Sequence, residues 1–346
     1  MPEAPTGWRR LFVVNEVSGS HRIAARAAIS VLVPLLVVYA ADQPRWSLYA
    51  TFGAFTALYG RERVDLPRVR LQVVAGCSLV LAVTLGAVVA VSAERAWLAV
   101  PIAAVLAAVV TWVSGTQGWH PPGSLFCLFG FAAVASVPGT WEQVGEAAAV
   151  AASAAAFAVV VGNVGAVVRR VRRTAAITPA GPAIGGARGR WVRQAWMSGL
   201  GVAIAGSIAT GAGIGRPYWA MVSAVVPLVA PDFGTQVVRG THRVMGTAGG
   251  LVVAWALLEL HLPVLTTILL VGLLQALTEL VVGRHYAAAL LFITPLALLM
   301  VHLAAPIPVR ELLTDRGLET LIGVAVGLAI GWAGRIRRTR PLASPA

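Results

Sequence analysis

The stretch Pro217–Gly249 reads PYWAMVSAVVPLVAPDFGTQVVRGTHRVMGTAG, and it aligns with Pro44–Gly76 after a shift of 173 residues. In both stretches an arginine follows a tryptophan by 24 residues. The scarce residues that this shift brings into register are Trp46 and Trp219, Arg70 and Arg243, and Glu146 and Glu319. Because such residues are rare in so apolar a chain, the shared spacing predicts a duplicated unit of about 170 residues.

The composition of the chain is that of a membrane protein. Of the 346 residues, 58% are hydrophobic and 12% are charged, whereas soluble chains average about 25% charged residues. A soluble fold would leave this excess of apolar side chains on its surface. We therefore expect the lipid bilayer to surround most of the chain.

The basic residues are all arginine, 27 in number, and the net charge is +13. Without lysine the chain can form neither a P-loop nor a Schiff base. The arginines lie between apolar runs, so we ascribe the net charge to membrane topology and expect no nucleic acid partner.

Apolar runs predict an all-α, polytopic membrane protein with about 12 transmembrane helices, because each run is long enough to cross a bilayer. The predicted spans are 24–41, 45–60, 69–92, 96–114, 121–138, 143–168, 191–214, 217–231, 240–260, 263–283, 286–304 and 317–334. They form two six-helix repeats. Because six spans return the chain to the side of the membrane on which it started, the two repeats have the same orientation and run parallel. Short or proline-broken spans at matching places of two halves, here the second and the eighth, indicate a binding site between the halves.

The predicted domains follow from this division. Residues 1–168 form the first membrane repeat, and residues 1–22 within it are expected to form an amphipathic helix on the cytoplasmic face. Residues 169–190 form a cytoplasmic basic linker. Residues 191–346 form the second membrane repeat.

The distribution of arginine predicts the orientation of the chain. Most arginines fall on the side of the membrane that also holds both termini. The arginines on the opposite side are Arg45, Arg95, Arg216, Arg310 and Arg316. By the positive-inside rule we expect a multi-pass protein of the bacterial plasma (inner) membrane with both termini in the cytoplasm.

The segment around Arg243 carries a resemblance to a known family. Tyr218 and Trp219 precede Arg243-Val-Met-Gly-Thr-Ala-Gly-Gly, and the last span contains Arg316-Gly-Leu-Glu-Thr-Leu-Ile-Gly. This pattern resembles the fusaric acid resistance (FUSC) family, which is related to the aromatic acid exporters. The first half resembles it weakly, since Arg70-Leu-Gln-Val-Val-Ala-Gly lacks the Gly-Thr pair. The resemblance implies efflux of small organic anions, often aromatic carboxylates.

Two arginines are the leading candidates for the substrate pathway. Arg243, with Arg70 opposite, would gather the carboxylate, and Arg239 shares the helix face of Arg243. Asp232 is the expected partner of Arg239 or Arg243. The alternative is that both arginines merely anchor helix ends at the cytoplasmic surface.

The other pathway candidates are aromatic. Tyr218 and Trp219 stand at the start of the short eighth span, in which Pro227 breaks the helix and frees backbone groups. We expect Tyr218 and Trp219 to line the substrate pathway together with Arg243.

Proton coupling has two candidates. Glu279 is the carboxylate most deeply embedded in an apolar run, and its alternative role is a salt bridge to Arg284 or Arg243. His120 lies in a loop, where a histidine is more often simply solvated. Glu146 and Glu319 are expected to act as acidic residues in the first turns of their own helices.

The glycines of the last span have a structural explanation. Gly323, Gly327 and Gly331 form a stripe that is expected to pack another helix. Gly246 and Gly250, on the span that carries Arg243, are also expected to pack closely against another helix.

The sequence contains neither the HExxH nor the GxSxG signature, and we expect no enzymatic activity, cofactor or metal. The expected partners are a small organic anion and the bilayer, and the architecture is compatible with a homo-oligomer. Two alternatives to an exporter remain. The chain could be a gated anion channel, or a non-transporting scaffold or accessory subunit of an envelope complex.

Overall fold

The structure, a computed structural model, describes residues 11–14, 20–60, 65–171 and 188–339, and this part of the chain is helical without a β-strand. The α-helices are α1 (Ser20–Ala40), α2 (Ser47–Ala54), α3 (Asp65–Ala90), α4 (Arg95–Gln117), α5 (Leu125–Ala135), α6 (Trp141–Val171), α7 (Arg188–Gly211), α8 (Tyr218–Leu228), α9 (Phe233–Glu259), α10 (Val264–Val281), α11 (Tyr286–Ala304) and α12 (Val309–Thr339). The all-α prediction is confirmed.

Seven of the helices found in the described residues are long and apolar enough to cross a membrane, namely α1, α3, α4, α6, α10, α11 and α12. Helices α5 and α8 are apolar but shorter. Large apolar side chains cover the outer surface, including Trp196, Val105 and Trp255. Such a surface is stable in lipid and not in water, so the chain is a multi-pass membrane protein. The arrangement of twelve spans in two repeats remains a prediction.

Helix α9 places its polar and small residues on the inside. Its buried positions include Gln236, Arg243 and Thr247, whereas Met245 and Val252 on the opposite face are exposed. This pattern is the reverse of a soluble amphipathic helix, because lipid takes the place of water outside. Helix α9 therefore brings polar groups into the interior of the protein.

The second and eighth predicted spans are short, as expected. Helix α2 has eight residues between 3-10 turns at Pro44–Trp46 and Phe55–Leu58. Helix α8 has 11 residues, starts after Pro217 and contains Pro227, and all of its side chains are buried. A proline ends a helix because it lacks a backbone N–H and clashes with the preceding turn.

Several boundaries differ from the predicted ones. Helix α12 begins at Val309, not near residue 317, and α9 begins at Phe233, not near residue 240. Both helices begin before the apolar run, because α12 starts with the charged residues Arg310 and Glu311 and α9 starts with the polar residues Thr235 and Gln236. Arg316, which we had placed outside the membrane span, thus lies inside α12.

The helices of the first half pair with one another as those of the second half do. Helix α3 packs on α5 and α6, and α9 packs on α11 and α12. Helix α2 packs on α6, and α8 packs on α12. Across the two halves, α1 packs on α10 and α4 on α7, while α5 contacts α8 and α2 contacts α11. The two short helices therefore lie where the halves meet.

Glycines bring the inner helices into close contact, as predicted. A Cβ atom added at Gly323 of α12 would overlap the carbonyl oxygen of Ala220 in α8, and one added at Gly246 of α9 would overlap that of Ala287 in α11. Small residues allow such an approach, and dispersion contacts then hold the helices together without a hydrophobic effect.

Two predicted segments fall mostly outside the described residues. Of the N-terminal residues 1–22, the structure describes 11–14 and the beginning of α1. The Leu11 carbonyl oxygen lies 3.0 Å from Nε2 of His242 and 2.8 Å from Nε2 of His285. Of the predicted linker, residues 172–187 lie outside the described part, between the end of α6 and the start of α7.

We expect Gly323→Ala to destabilise the protein by about 1–3 kcal/mol, because overpacking a tight contact forces backbone shifts. Gly145→Ala in α6 is the matched control, since a Cβ there would meet nothing within 4 Å. This control should be neutral or more stable by about 0.5–1 kcal/mol. Thermal unfolding of both variants in detergent tests the contact, which would be refuted if the two variants proved equally stable.

Candidate functional site

Glu319 holds the beginning of α8. Its side chain is fully buried, and its two carboxylate oxygens accept hydrogen bonds from the backbone N–H groups of Arg216 and Trp219, each at 3.1 Å. A carboxylate at a helix N-terminus satisfies free N–H groups and the helix dipole. We had expected Glu319 to act on its own helix, but α12 begins ten residues earlier, so the carboxylate reaches α8 instead.

The corresponding carboxylate of the first half works differently. Glu146 accepts a hydrogen bond from the indole Nε1 of Trp46 at 2.8 Å and pairs with Arg45 at 3.3 Å. Its side chain is 29% exposed. Both carboxylates thus hold the start of a short helix, but only Glu319 does so through buried backbone groups.

Arg216, which precedes α8, forms a buried ion pair. It bonds to the Asp315 carboxylate and lies 3.3 Å from Glu311. We had counted Arg216 among the arginines of the outer surface, but its side chain is mostly buried because α12 starts early and carries both acidic residues toward it. This pair joins the first turns of α12 to the loop before α8.

Arg316 is the most deeply buried arginine that the structure describes, with 2% exposure. Its guanidinium carbon lies 5.1 Å from the centre of the Trp219 ring, which is a cation–π distance. Within the described chain, its Nε and Nη1 atoms have no hydrogen-bond partner. A buried guanidinium without such partners is costly, because it has lost its water.

Arg243 is buried beside Arg316. It donates from Nε and Nη2 to the Ser223 hydroxyl, both at 3.4 Å, and from Nη1 to the Tyr286 hydroxyl at 3.3 Å. These partners are neutral, so they leave the positive charge of Arg243 uncompensated. Arg243 contacts Ser223 and Arg316 contacts Trp219, so the two guanidinium groups meet the same face of α8 one turn apart.

Asp232 does not take the predicted role at Arg243. Its carboxylate caps α9, where it accepts hydrogen bonds from the Thr235 backbone N–H at 3.0 Å and the Thr235 hydroxyl at 2.7 Å. An aspartate that directly precedes a helix prefers this position, because it satisfies N–H groups that have no partner within the helix. The partners of Arg243 are the two hydroxyl groups instead.

The remaining predicted pathway residues of the second half lie around these two arginines. Trp219 is covered by Arg316, and the guanidinium of Arg239 lies 5.7 Å from the centre of the Tyr286 ring. Tyr218 is buried and stacks on Phe129 of α5, with ring centres 5.9 Å apart. We call the following set the arginine cluster: Arg239, Arg243, Arg316, Trp219, Ser223 and Tyr286.

Arg70 does not join this cluster. Its side chain is exposed, although it aligns with the buried Arg243 in the 173-residue register. In the first half the buried arginine is Arg68, which donates to the Gly60 carbonyl at 3.1 Å and the Gly162 carbonyl at 3.4 Å. The buried Arg68 of the first half therefore has backbone acceptors, whereas Arg316 of the second half has none at Nε and Nη1 among the described residues.

The proton-coupling candidates lie elsewhere. Glu279 is buried on α10 beside Gln275 and Thr278, and α10 packs against α1 and α11. His120 is exposed between α4 and α5, and its backbone carbonyl accepts a hydrogen bond from Gly60. Proton coupling through either residue remains a prediction.

The arginine cluster lies well inside the helices. Arg243 comes ten residues after the start of α9, which corresponds to about 15 Å along the helix axis. Arg316 comes seven residues after the start of α12, or about 10 Å. Neither arginine therefore lies at the end of its helix.

The sequence carries a signal for the burial of Arg316. Arg316 precedes Glu319, Gly323 and Gly327 by three, seven and eleven residues, a spacing that puts all four on one helix face. Since the glycines predicted a close contact on that face, burial of Arg316 followed from it. Ser223 and Tyr286 carried no comparable signal.

The match with a known family covers the part of the chain that holds this site. Residues 202–330 match the family described as fusaric acid resistance protein-like. This part of the second half is therefore similar to that family. Every member of the arginine cluster lies within the matched residues. The predicted resemblance to this family is therefore confirmed.

One curated relative aligns over part of the chain. The uncharacterized protein slr1298 of Synechocystis sp. is 30% identical over 144 residues, which are 41% of this chain and 19% of that protein. The aligned region thus spans about a fifth of the relative. No solved structure matches the chain.

We expect Glu319→Gln to destabilise the protein by about 1–3 kcal/mol, because a buried carboxylate that accepts backbone hydrogen bonds is replaced by a neutral amide with one acceptor oxygen. The matched control is Glu146→Gln, where a partly exposed ion pair contributes about 0–1 kcal/mol. Unfolding temperatures of the two purified variants measure the difference. Equal losses would contradict the special role of Glu319 at α8.

Proposed function

We propose that this protein is a membrane transporter that exports small organic anions, with aromatic carboxylates as the substrate class. Arg243 binds the carboxylate. The observation that carries this proposal is the burial of Arg243 with neutral hydroxyl partners, inside the part of the chain that matches the family. An arginine within a membrane is costly unless it has a function or a counter-ion, and it marks ion and substrate pathways.

The architecture supports the proposal. We infer that the chain is a duplicated six-helix unit with twelve spans, because the pairings of α1 to α6 recur among α7 to α12. The pathway runs between the halves, where α2 and α8 meet α11 and α5. Transporters built from repeats bind their substrates at short or broken helices near the middle of the bilayer. Helix α8, broken at Pro227, matches that description.

The membrane potential is a sufficient source of energy for export. An inside-negative potential favours the exit of an anion by about 2.3 kcal/mol per charge for each 100 mV. A uniporter therefore needs no proton site. The other energy sources compatible with the sequence are an ion gradient and a separate subunit. If a proton gradient drives export, Glu279 or His120 would carry the coupled proton.

The location follows from the arginine distribution. We propose a place in the bacterial plasma membrane with both termini in the cytoplasm. Two arginines assigned to the outer side, Arg216 and Arg316, prove to be largely buried, so they no longer count as charges of the outer loops. Leaving these two arginines out of the count increases the excess of arginine on the cytoplasmic side, which the positive-inside rule uses to assign orientation.

Two other functions predict different behaviour of the purified chain. A scaffold or accessory subunit would carry no flux, and a gated channel would carry flux at a rate far above that of a transporter. Uptake and release of benzoate by proteoliposomes that hold only this chain distinguish the three. Absence of flux, with the protein folded and inserted, would overturn the proposed function.

We expect Arg243→Gln to reduce benzoate flux at least about tenfold, because a charged hydrogen bond to the substrate contributes about 1.5–3 kcal/mol. Arg70→Gln is the matched control, since it removes an arginine at the corresponding position that is exposed. Flux per inserted protein in proteoliposomes is the measurement. If both variants lose flux equally, or if neither does, Arg243 is not the binding residue.

A further inference from the structure

Arg316 is left without an assigned role by the function proposed above. Resting on that function, we propose that Arg316 is a second substrate-binding residue, and that the carboxylate of the substrate bridges Arg243 and Arg316 along α8. The juxtaposition of two buried guanidinium groups on one face of a buried helix carries this inference.

Arg316 is buried without a full set of hydrogen-bond acceptors. It is 2% exposed, and its Nε and Nη1 atoms have no acceptor in the described part of the chain. Glu319 lies one turn further along α12, but its oxygens are engaged by α8 backbone N–H groups. Arginine that serves only to stabilise a fold finds acceptors, as Arg68 does.

Arg316 and Arg243 contact α8 at neighbouring turns of that helix. Arg316 stacks on Trp219 and Arg243 bonds to Ser223, and these two α8 residues are four positions apart. One helical turn separates the two contact points, which is about 6 Å along α8. A carboxylate has two oxygens and about four lone-pair sites, so it can accept from two guanidinium groups at once. The Trp219 ring holds the Arg316 guanidinium in a fixed plane for this contact.

The buried charges near α8 do not cancel. Arg243 and Arg316 carry two positive charges, and of the buried carboxylates on α12, Asp315 pairs with Arg216, which leaves Glu319 to offset one of them. One positive charge then remains uncompensated, and a single negative charge neutralises it. Burying a second negative charge without a partner is unfavourable. The site should therefore prefer a monocarboxylate to a dicarboxylate or a neutral analogue.

The Trp219 indole adds a further donor. Its Nε1 atom is buried and has no acceptor among the described residues. A tryptophan N–H normally finds a partner when it is buried. An oxygen atom of the ligand would supply one, which places the ligand beside α8 on the side of Trp219.

The experiment uses the purified full chain with three probes: benzoate, the neutral analogue benzamide, and the dianion terephthalate. Unfolding temperatures with and without each probe report binding, because a ligand that binds the folded state raises its stability. Benzoate flux into proteoliposomes reports transport. The variants are Arg316→Gln, Arg316→Lys and, as the control for a structural arginine, Arg68→Gln.

For the wild type we expect benzoate to raise the unfolding temperature and to be transported, with benzamide and terephthalate weaker in both measurements. Arg316→Gln should lose about 10-fold to 100-fold in apparent affinity, which corresponds to one charged hydrogen bond. Arg316→Lys should recover part of it, since lysine keeps the charge but not the planar fork.

A purely structural role for Arg316 predicts a different stability of the variants. Without ligand, Arg316→Gln should be as stable as the wild type or more stable, because it removes a buried charge. Arg68→Gln should be less stable than the wild type, because it leaves carbonyl groups without their donor. If Arg316→Gln unfolds as readily as Arg68→Gln, Arg316 stabilises the fold and the inference is wrong.

The remaining outcomes separate this inference from the proposed function. If the wild type transports benzoate and Arg316→Gln transports it equally well, the inference is overturned while the function stands. If terephthalate binds better than benzoate, the single-charge argument is overturned. If the folded wild type neither binds nor transports any of the three probes, the proposed function fails, and the inference fails with it.

Discussion

The close contact between α8 and α12 determines most of the candidate site. Gly323 and Gly327 bring the backbones so near that a Cβ atom at either position would overlap a carbonyl oxygen of α8. The other residues on that face of α12 are then buried against α8, among them Glu319 and Arg316. Glu319 meets the free N–H groups at the start of α8, whereas Arg316 meets the face of Trp219. One helix contact therefore buries both a satisfied anion and an unsatisfied cation.

The two halves of the chain share a register but differ in the chemistry of their interiors. The 173-residue shift places Gln143 at the position of Arg316 and Ala50 at that of Ser223. The first half thus lacks both the second arginine and the hydroxyl group that contacts Arg243. Its buried arginine, Arg68, is held by backbone carbonyls. Among the described residues, the buried arginine without a full set of hydrogen-bond partners therefore lies in the second half, and a substrate between the halves would meet two unequal surfaces.

The sequence predicted the helical membrane fold and the shortness of α2 and α8, because apolar runs and prolines act locally. It also singled out Arg243, which the structure buries, since a charge within such a run has few explanations; the role of Arg243 in binding stays a prediction. Arg70 was misplaced because a sequence register aligns residues without specifying which helix face they occupy. Arg316 was missed because a charged residue ends an apolar run, so the run began after it, although the helix itself starts at Val309. Asp232 was expected to pair with Arg239 or Arg243, but its carboxylate caps the start of α9.

The cost of burying Arg316 is itself an argument about function. An unpaired charge in the interior lowers stability by several kcal/mol, and a carboxylate on a neighbouring helix would remove that cost. Such a carboxylate would also occupy the position that an anionic substrate needs, and the substrate would have to displace it. Neutral partners, such as the hydroxyls of Ser223 and Tyr286 at Arg243, orient a guanidinium without neutralising it. Under the proposed function, a positive charge that is oriented but not compensated would make the occupied site more stable than the empty one, and this difference would drive binding of the anion.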